Sequence, residues 1–273
     1  MEYAIQTRGL TKDYGSFVLD SIDLTLPKGT ILGLIGENGA GKSTLIKCLL
    51  GIIRPTAGTV ELADTVGYVP DECPFSDVLK VKQVAAFLPG LYPNWDSSLF
   101  DGCLQRFNLP TDKKVKELSR GMKMKLTIAA ALAHRPQLLV LDEATSGLDP
   151  VVRDEILDVF LDFVSDDDHA ILISSHITSD LEKLCDYVAY LHKGTLTVQG
   201  PKDELLAQYG KVSCTREQLS AIPRDILVGK REGSFGCQAL VSDRAALKRA
   251  LPNAAVEAAT LEDIMIYTTK GEQ

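Results

Sequence analysis

The chain has 273 residues, 45% of them hydrophobic and 24% charged, with a net charge of −8 and an isoelectric point near 5.1. That balance belongs to a globular protein with room for one large domain and an extension, and it lacks the basic excess of a nucleic-acid backbone binder. The longest apolar run, near Ile128 to Ala133, falls far short of a bilayer span, and Met1-Glu2-Tyr3 does not open like a signal peptide, so neither is expected.

Residues 3 to 30 read as paired antiparallel strands, with Leu10, Val18, Ile22, Leu24 and Leu26 on one face. Thr30 to Ile35 is apolar and β-prone, and Leu45 to Leu50 is helix-permissive. Between them stands Gly36-Glu37-Asn38-Gly39-Ala40-Gly41-Lys42-Ser43-Thr44, which fits G-x-x-x-x-G-K-[ST] with a third glycine at Gly39. Strand, loop and helix is the context in which this pattern predicts a phosphate-binding loop. The glycines let backbone N–H groups turn inward around a polyphosphate, and the helix directs its positive end at the anion. Lys42 is placed to reach the β- and γ-phosphates, and the Ser43 hydroxyl to ligate Mg²⁺.

Pro55-Thr56-Ala57-Gly58 signals a turn, after which Thr59 to Leu62 resumes strand character. From about Val78 to Arg135 the pattern is helical: Val81, Val84, Ala85 and Leu88, then Leu99, Cys103, Leu104 and Phe107, recur at helix spacing. Leu91-Tyr92-Pro93-Asn94-Trp95 within it serves equally as an interface anchor or as packing under a loop. Gln137 to Asp142 then forms a continuous apolar run ending in Asp142-Glu143, as a central parallel strand would. Ligands gather at the carboxyl ends of such strands, so Asp142 is expected to hold Mg²⁺ through its water shell and Glu143 to polarise an attacking water. Pro150 opens a helix through Phe160, Asp166-Asp167-Asp168 reads as a solvated turn, and residues 170–174 as a strand. The six cysteines are scattered without a C-x-x-C pair, which argues against a disulfide framework or zinc site. His134, beside Arg135-Pro136, and His192, before Lys193-Gly194, read as solvated turn residues.

With Leu118-Ser119-Arg120-Gly121-Met122 between the two phosphate-site elements, and Ser146-Gly147-Leu148-Asp149 and His176 after them, residues from about 3 to 210 resemble the nucleotide-binding subunit of ABC transporters. The resemblance implies that Tyr14 stacks on adenine, that Ser119 and Gly121 belong to the signature motif, that Asp149 closes the D-loop and that His176 is the switch histidine. It implies ATP and Mg²⁺ as cofactors, with Gly36, Asn38, Gly39, Ala40, Gly41, Lys42, Ser43 and Thr44 around the phosphates and with Glu143 and His176 as catalytic residues. Two positions depart from the family pattern. The signature reads LSRGM instead of the usual LSGGQ, with Arg120 and Met122 as tolerated changes. In Val69-Pro70-Asp71-Glu72, Asp71 stands where the family usually has glutamine, and is expected to serve as a Mg²⁺ or water ligand.

The implied architecture is α/β: a P-loop NTPase core sheet, an antiparallel β subdomain, a helical insert at about 78–135 and a small C-terminal α/β extension. The expected boundary divides an ATPase domain at 1–210 from the extension at 211–273. In the extension, Ile226 to Val228 and Gln238 to Val241 read as strands, Asp243 to Leu251 as a short helix, and Thr260 to Asp263 as a capping box. Such a tail is similar to that of ABC-2-type exporter ATPases. The implied partners are a multi-span membrane permease and a second ATPase subunit that shares each ATP, so the chain is expected at the inner face of the cell membrane. Relatives that act on nucleic acid or ribosomes carry paired cassettes, long coiled coils or basic arms. One phosphate loop, no heptad run and an acidic balance make nucleic acid an unexpected partner.

Overall fold

A computed structural model describes residues 2–233 and 236–270. The chain opens with β1 (Tyr3–Asp13), β2 (Val18–Ile22) and β3 (Thr25–Pro27), then enters the core as β4 (Ile31–Ile35), followed by α1 (Lys42–Leu49). β5 (Ala57–Leu62) returns to pair with β1, completing a four-stranded antiparallel sheet, and β6 (Val66–Val69) forms one edge of the core sheet. Val18 was expected inside this antiparallel layer; it is exposed, and Leu19 takes the buried position. In a strand of period two, that is a one-residue shift of face.

The helical insert holds α2 (Val81–Phe87), α3 (Ser97–Arg106) and α4 (Arg120–Ala133), with single 3₁₀ turns at Leu88–Gly90 and Val115–Glu117. Pro89 enters the first of those turns just as α2 ends. Phe100 is buried in α3, whereas Leu99, expected on the inner face, is exposed. Phe100 lies three and four residues before Cys103 and Leu104, the spacing that puts side chains on one helical face. Ser119 caps α4, accepting from Met122 N at 3.3 Å.

β7 (Leu138–Asp142), α5 (Pro150–Val164), β8 (Ala170–Ser175), α6 (Thr178–Leu184), β9 (Tyr187–His192), β10 (Thr195–Pro201) and α7 (Lys202–Gln208) follow. The core sheet runs β10-β9-β4-β8-β7-β6, parallel except for the β9–β10 hairpin. Every residue of β4, β7 and β8 is buried. Helices and the antiparallel layer cover the two faces, which is why these strands carry unbroken apolar runs. Burying each of their Leu, Ile or Val side chains stabilises the fold by about 1.5–3 kcal/mol relative to exposure. Asp149 caps α5 through Val152 N at 3.1 Å, with Pro150 at the first helical position.

The last segment is β11 (Gly210–Cys214), α8 (Arg216–Ser220), β12 (Leu227–Gly233), β13 (Gly236–Val241), α9 (Arg244–Ala250), β14 (Ala255–Ala258) and α10 (Leu261–Lys270). Its four strands form an antiparallel sheet of order β12-β13-β11-β14. β11 and β14 carried no sequence signal, being short and partly exposed. Thr260 and Asp263 form the expected reciprocal cap at the start of α10, with Asp263 N donating to Thr260 Oγ1 at 3.0 Å and Asp263 Oδ2 accepting from Thr260 N at 3.2 Å. Leu247 packs in a small cluster of its own with the sheet, whereas Leu261, Ile264 and Tyr267 of α10 join the main core.

Candidate functional site

The phosphate loop lies where β4 delivers the chain to α1. Gly41, the residue before α1, has φ 110°, and a Cβ there would stand 2.8 Å from the Phe17 ring. Only glycine meets both conditions. Lys42 is buried: its Nζ donates to Gly36 O at 2.7 Å and lies 3.3 Å from Glu143 Oε1. The lysine charge is thus held among a carbonyl and a carboxylate at the base of the loop.

At the neighbouring strand ends, a hydroxyl organises the acids. The register pairs Asp142 of β7 with Ser174 of β8. Ser174 Oγ donates to Asp142 Oδ1 at 2.7 Å and accepts from Glu143 N at 3.0 Å. Glu143 has φ 52°, in the left-handed region where a non-glycine residue costs on the order of 1–3 kcal/mol. That turn brings its carboxylate beside Lys42 and His176, with His176 Nδ1 2.7 Å from Glu143 Oε2. Ser174 is a site residue that the sequence reading missed. Its signal was a serine at the carboxyl end of a strand otherwise built for full burial.

A cleft of about 480 Å³ opens over these groups. One wall is the loop itself: Asn38, Gly39, Gly41, Lys42, Ser43 and Thr44. Facing it are Asp71, Arg120, Glu143, Ser146 and His176. Gly36 lies at the loop's root, its carbonyl engaged by Lys42, and Ala40 is buried, accepting from Gly194 N at 3.0 Å. Arg120, read from sequence as a tolerated change, instead reaches into the cleft and packs its guanidinium over Gly147. Tyr68 of β6 is a second residue without a sequence signal. Burial, then the charges of Asp142 and Asp71, raises its phenol pKa, which locates it near both carboxylates.

Besides Gly36 and Ala40, which lie behind the lining, four expected nucleotide contacts stand outside this cleft. The Tyr14 ring is 49% exposed with Lys12 Nζ 5.1 Å from its centroid, and Phe17 is the aromatic that lines the cleft. Ser119 and Asp149 are engaged as helix caps. Gly121 is buried where α4 meets α5, and a Cβ there would come 2.9 Å from Val152 Cγ1. Two histidines also differ from expectation. His134 is buried and stacks on Tyr92 at 4.6 Å, and burial lowers its pKa, a backbone hydrogen bond opposing. His192 is buried on β9, its Nδ1 2.7 Å from Glu37 Oε1. Each is shielded by an aromatic or carboxylate partner distant in sequence.

Among the described residues no group of three or more His, Cys, Asp or Glu side chains is gathered to hold a metal. Ser43 and Asp71, which line the cleft, and Asp142, buried next to the lining residue Glu143, form a sparse set of hard oxygen donors. Mg²⁺ is characteristically held by one or two such groups together with phosphate oxygens and water, so the donors fit that ion and not an all-protein cage.

A family profile described as "ABC transporter" matches residues 19–146. The ABC transporter ATP-binding protein YtrB of Bacillus subtilis is 35% identical over 220 residues, covering 76% of this chain and 75% of that protein. This chain belongs to the ABC transporter ATP-binding subunits. The bacitracin transport ATP-binding protein BcrA of Enterococcus faecalis is 36% identical, covering 75% of this chain and 71% of its own. The lantibiotic transport ATP-binding protein SrtF of Streptococcus pyogenes is 32% identical over 73% of this chain and 91% of its own. Among solved structures, an ATP-binding subunit of an ABC transporter superimposes with a TM-score of 0.68 at 25% identity, covering 75% of this chain and 92% of that one. The fold of cbiO1 from Clostridium perfringens, part of the transporter complex cbiONQ, matches with a TM-score of 0.65 at 24% identity over 76% of this chain and 92% of that one. The ABC subunit binds and hydrolyses ATP, and subunits of its kind work with membrane permease components.

Proposed function

We propose that this ABC subunit drives export through a separate membrane permease by pairing with a second ATPase subunit around ATP. The observation that carries the reading is the connected set Lys42, Glu143 and His176 in one cleft, with contacts of 3.3 and 2.7 Å. Lys42 moves from the Gly36 carbonyl and Glu143 to the β- and γ-phosphates, where a mobile cation is worth most. Glu143, left facing the cleft, accepts a proton from the attacking water, and His176 fixes which way its carboxylate points. Ser43 and Asp142, with Asp71 opposite, are the residues that would hold Mg²⁺. When bound, the ion neutralises charge on the phosphates.

The proposed pairing is supported by where the signature residues stand. Ser119 and Gly121 stand at the start of α4, outside the chain's own cleft, as required of groups that close over the ATP of a second copy. The exporter reading draws on the relatives named for bacitracin and lantibiotic transport. Val78, Phe87, Leu91 and Tyr92 leave the helical insert with exposed apolar surface, and we assign that surface to the permease. Trp95 is packed inward against Phe100 at 5.1 Å and holds the segment in place. Among the described residues no helix is long and apolar enough to cross a membrane, in keeping with a peripheral position on its inner face. Within the chain we assign residues 1–210 to the ATPase domain and 211–273 to a small extension.

Purification from detergent-solubilised membranes tests the reading. A stoichiometric multi-span partner is expected, whereas recovery with ribosomes or DNA would overturn it. Calorimetry on Lys42→Ala tests the nucleotide site, and tight MgATP binding is expected to be lost.

A further inference from the structure

Glu37 is the odd member of the phosphate loop. It places a carboxylate at the rim of a cleft built for a polyphosphate, where an unrestrained negative charge opposes the ligand. The structure shows that charge restrained from behind. His192 Nδ1 is 2.7 Å from Glu37 Oε1, and the Tyr190 hydroxyl is 3.2 Å from Oε2. Tyr190 and His192 are two residues apart on β9, hence on one face of the strand, and both are buried. Their rings lie nearly parallel, 6.4 Å apart.

The same hydroxyl meets the C-terminal segment. Tyr190 OH is 3.4 Å from Met265 O of α10, a carbonyl to which the Thr269 hydroxyl also donates. A phenol has one proton to donate, so the Met265 carbonyl and Glu37 compete for it. Burial pushes this phenol up to about 12, Thr269 opposing, so it remains a donor at neutral pH. On the other side, Glu37 is built into the loop's own bonding: its carbonyl accepts from Ala40 N at 3.1 Å and lies 3.4 Å from Lys42 Nζ. α10 is itself fastened to the ATPase core, with Leu261 N donating to Glu182 Oε1 at 2.7 Å.

We propose that Tyr190 and His192 form a latch on the Glu37 carboxylate that keeps the phosphate loop open to ATP, and that α10 sets the strength of this latch through Tyr190. Tyr190 and His192 are positioning residues. They act on where a negative charge sits and not on the hydrolytic step, so they alter nucleotide affinity and leave turnover of the bound nucleotide alone. The inference rests on residues 36–44 being the phosphate loop, which Lys42→Ala checks separately.

The test is Tyr190→Phe in the full chain, a change that deletes one oxygen. ATP affinity measured by calorimetry is expected to weaken about three- to tenfold, the effect of losing one ordinary hydrogen bond, while kcat at saturating ATP changes by less than about twofold. Adding Glu37→Gln to Tyr190→Phe removes the freed charge and is expected to restore affinity, a rescue that a general loss of packing would not allow. Linkage is reciprocal, so ATP should change amide hydrogen exchange in α10 of the parent and cease to do so in Tyr190→Phe. Parental affinity in Tyr190→Phe, failure of the rescue, or an α10 indifferent to ATP in the parent would each overturn the latch. If Lys42→Ala bound ATP as tightly as the parent, the loop assignment itself would fall, whatever Tyr190→Phe did.

Discussion

The core sheet and the C-terminal sheet bury their strands in different ways. β4, β7 and β8 are covered on both faces and buried along their whole length, whereas β11 and β13 mix buried and exposed positions in one antiparallel layer. In the first setting a polar side chain has no solvent face to occupy, and burying it without a partner costs several kcal/mol. Asp142, Ser174 and Ser175 therefore mark chemistry by their mere presence at buried strand ends. In the second setting, Ser213 is simply exposed, and Gln238 accepts from the Tyr267 hydroxyl at 3.3 Å where α10 crosses the sheet. The two regions are nevertheless joined, because α10 turns back from the C-terminal sheet and places Tyr267 in the main core.

The hardest test of that junction is Tyr267→Ala. The ring is 2% exposed, and its loss is expected to cost about 3–5 kcal/mol. Calorimetry should show one unfolding transition moved to lower temperature. Two separated transitions, with the ATPase core unmoved, would show that the C-terminal segment folds on its own account.

The chemical side of the comparison is sharpened by Glu143→Gln, which keeps the shape of the side chain but cannot take a proton. Turnover is expected to fall by about two orders of magnitude or more while ATP binding survives and an ATP-bound dimer accumulates. Hydrolysis at the parental rate would remove Glu143 from its proposed role.

Asp71 should act more gently, since attraction for Mg²⁺ and repulsion of the γ-phosphate oppose each other within a partly hydrated cleft. Asp71→Gln is expected to leave ATP affinity within about tenfold of the parent and to hold or raise turnover. Asp71→Ala should lower turnover and raise the Mg²⁺ concentration giving half-maximal activity, and an unchanged metal dependence would make Asp71 a plain loop residue.

The smallest effect is expected at the C-terminal segment's own ion pair, Lys211 Nζ to Asp263 Oδ1 at 2.8 Å. Burial works to raise the Asp263 pKa, but hydrogen bonds from Lys211 and Thr260 bring it below the usual carboxylate value. A lowered folded-state pKa gives stability that is present above the unfolded value and disappears as pH falls through the folded one. Asp263→Asn should therefore lower stability by about 1 kcal/mol at neutral pH and by progressively less below about pH 4. A pH-independent difference in melting temperature would show that the ion pair contributes nothing.

The phosphate loop, the acidic strand end and the histidine that follows β8 are written in short local runs and were legible for that reason, whereas Ser174 two residues before that histidine was not. The capping box at Thr260 was legible too, as was the turn at Asp166 to Asp168, where Asp168 N donates to Asp166 Oδ1 at 3.1 Å. What could not be read depended on residues far apart. Phe17 enters the cleft because the β1–β2 turn folds over Gly41, while Tyr14, three residues earlier, remains outside. Arg120 turns toward Gly147 only because α4 starts beside the chain that precedes α5. His192 looked like a turn residue until Glu37, 155 positions away, supplied its partner.

The sequence by itself determined the chemistry available to this ABC subunit and the order of its core elements, because local spacing and apolar periodicity act within a strand, a loop or a helix turn. Tertiary structure decided which charges meet. It seated Lys42 on Glu143, set Ser174 beneath both acids, and tied Glu37 through Tyr190 to α10. Those outcomes depend on strand register and on which helix covers which face, and the burial of the whole chain selects both together.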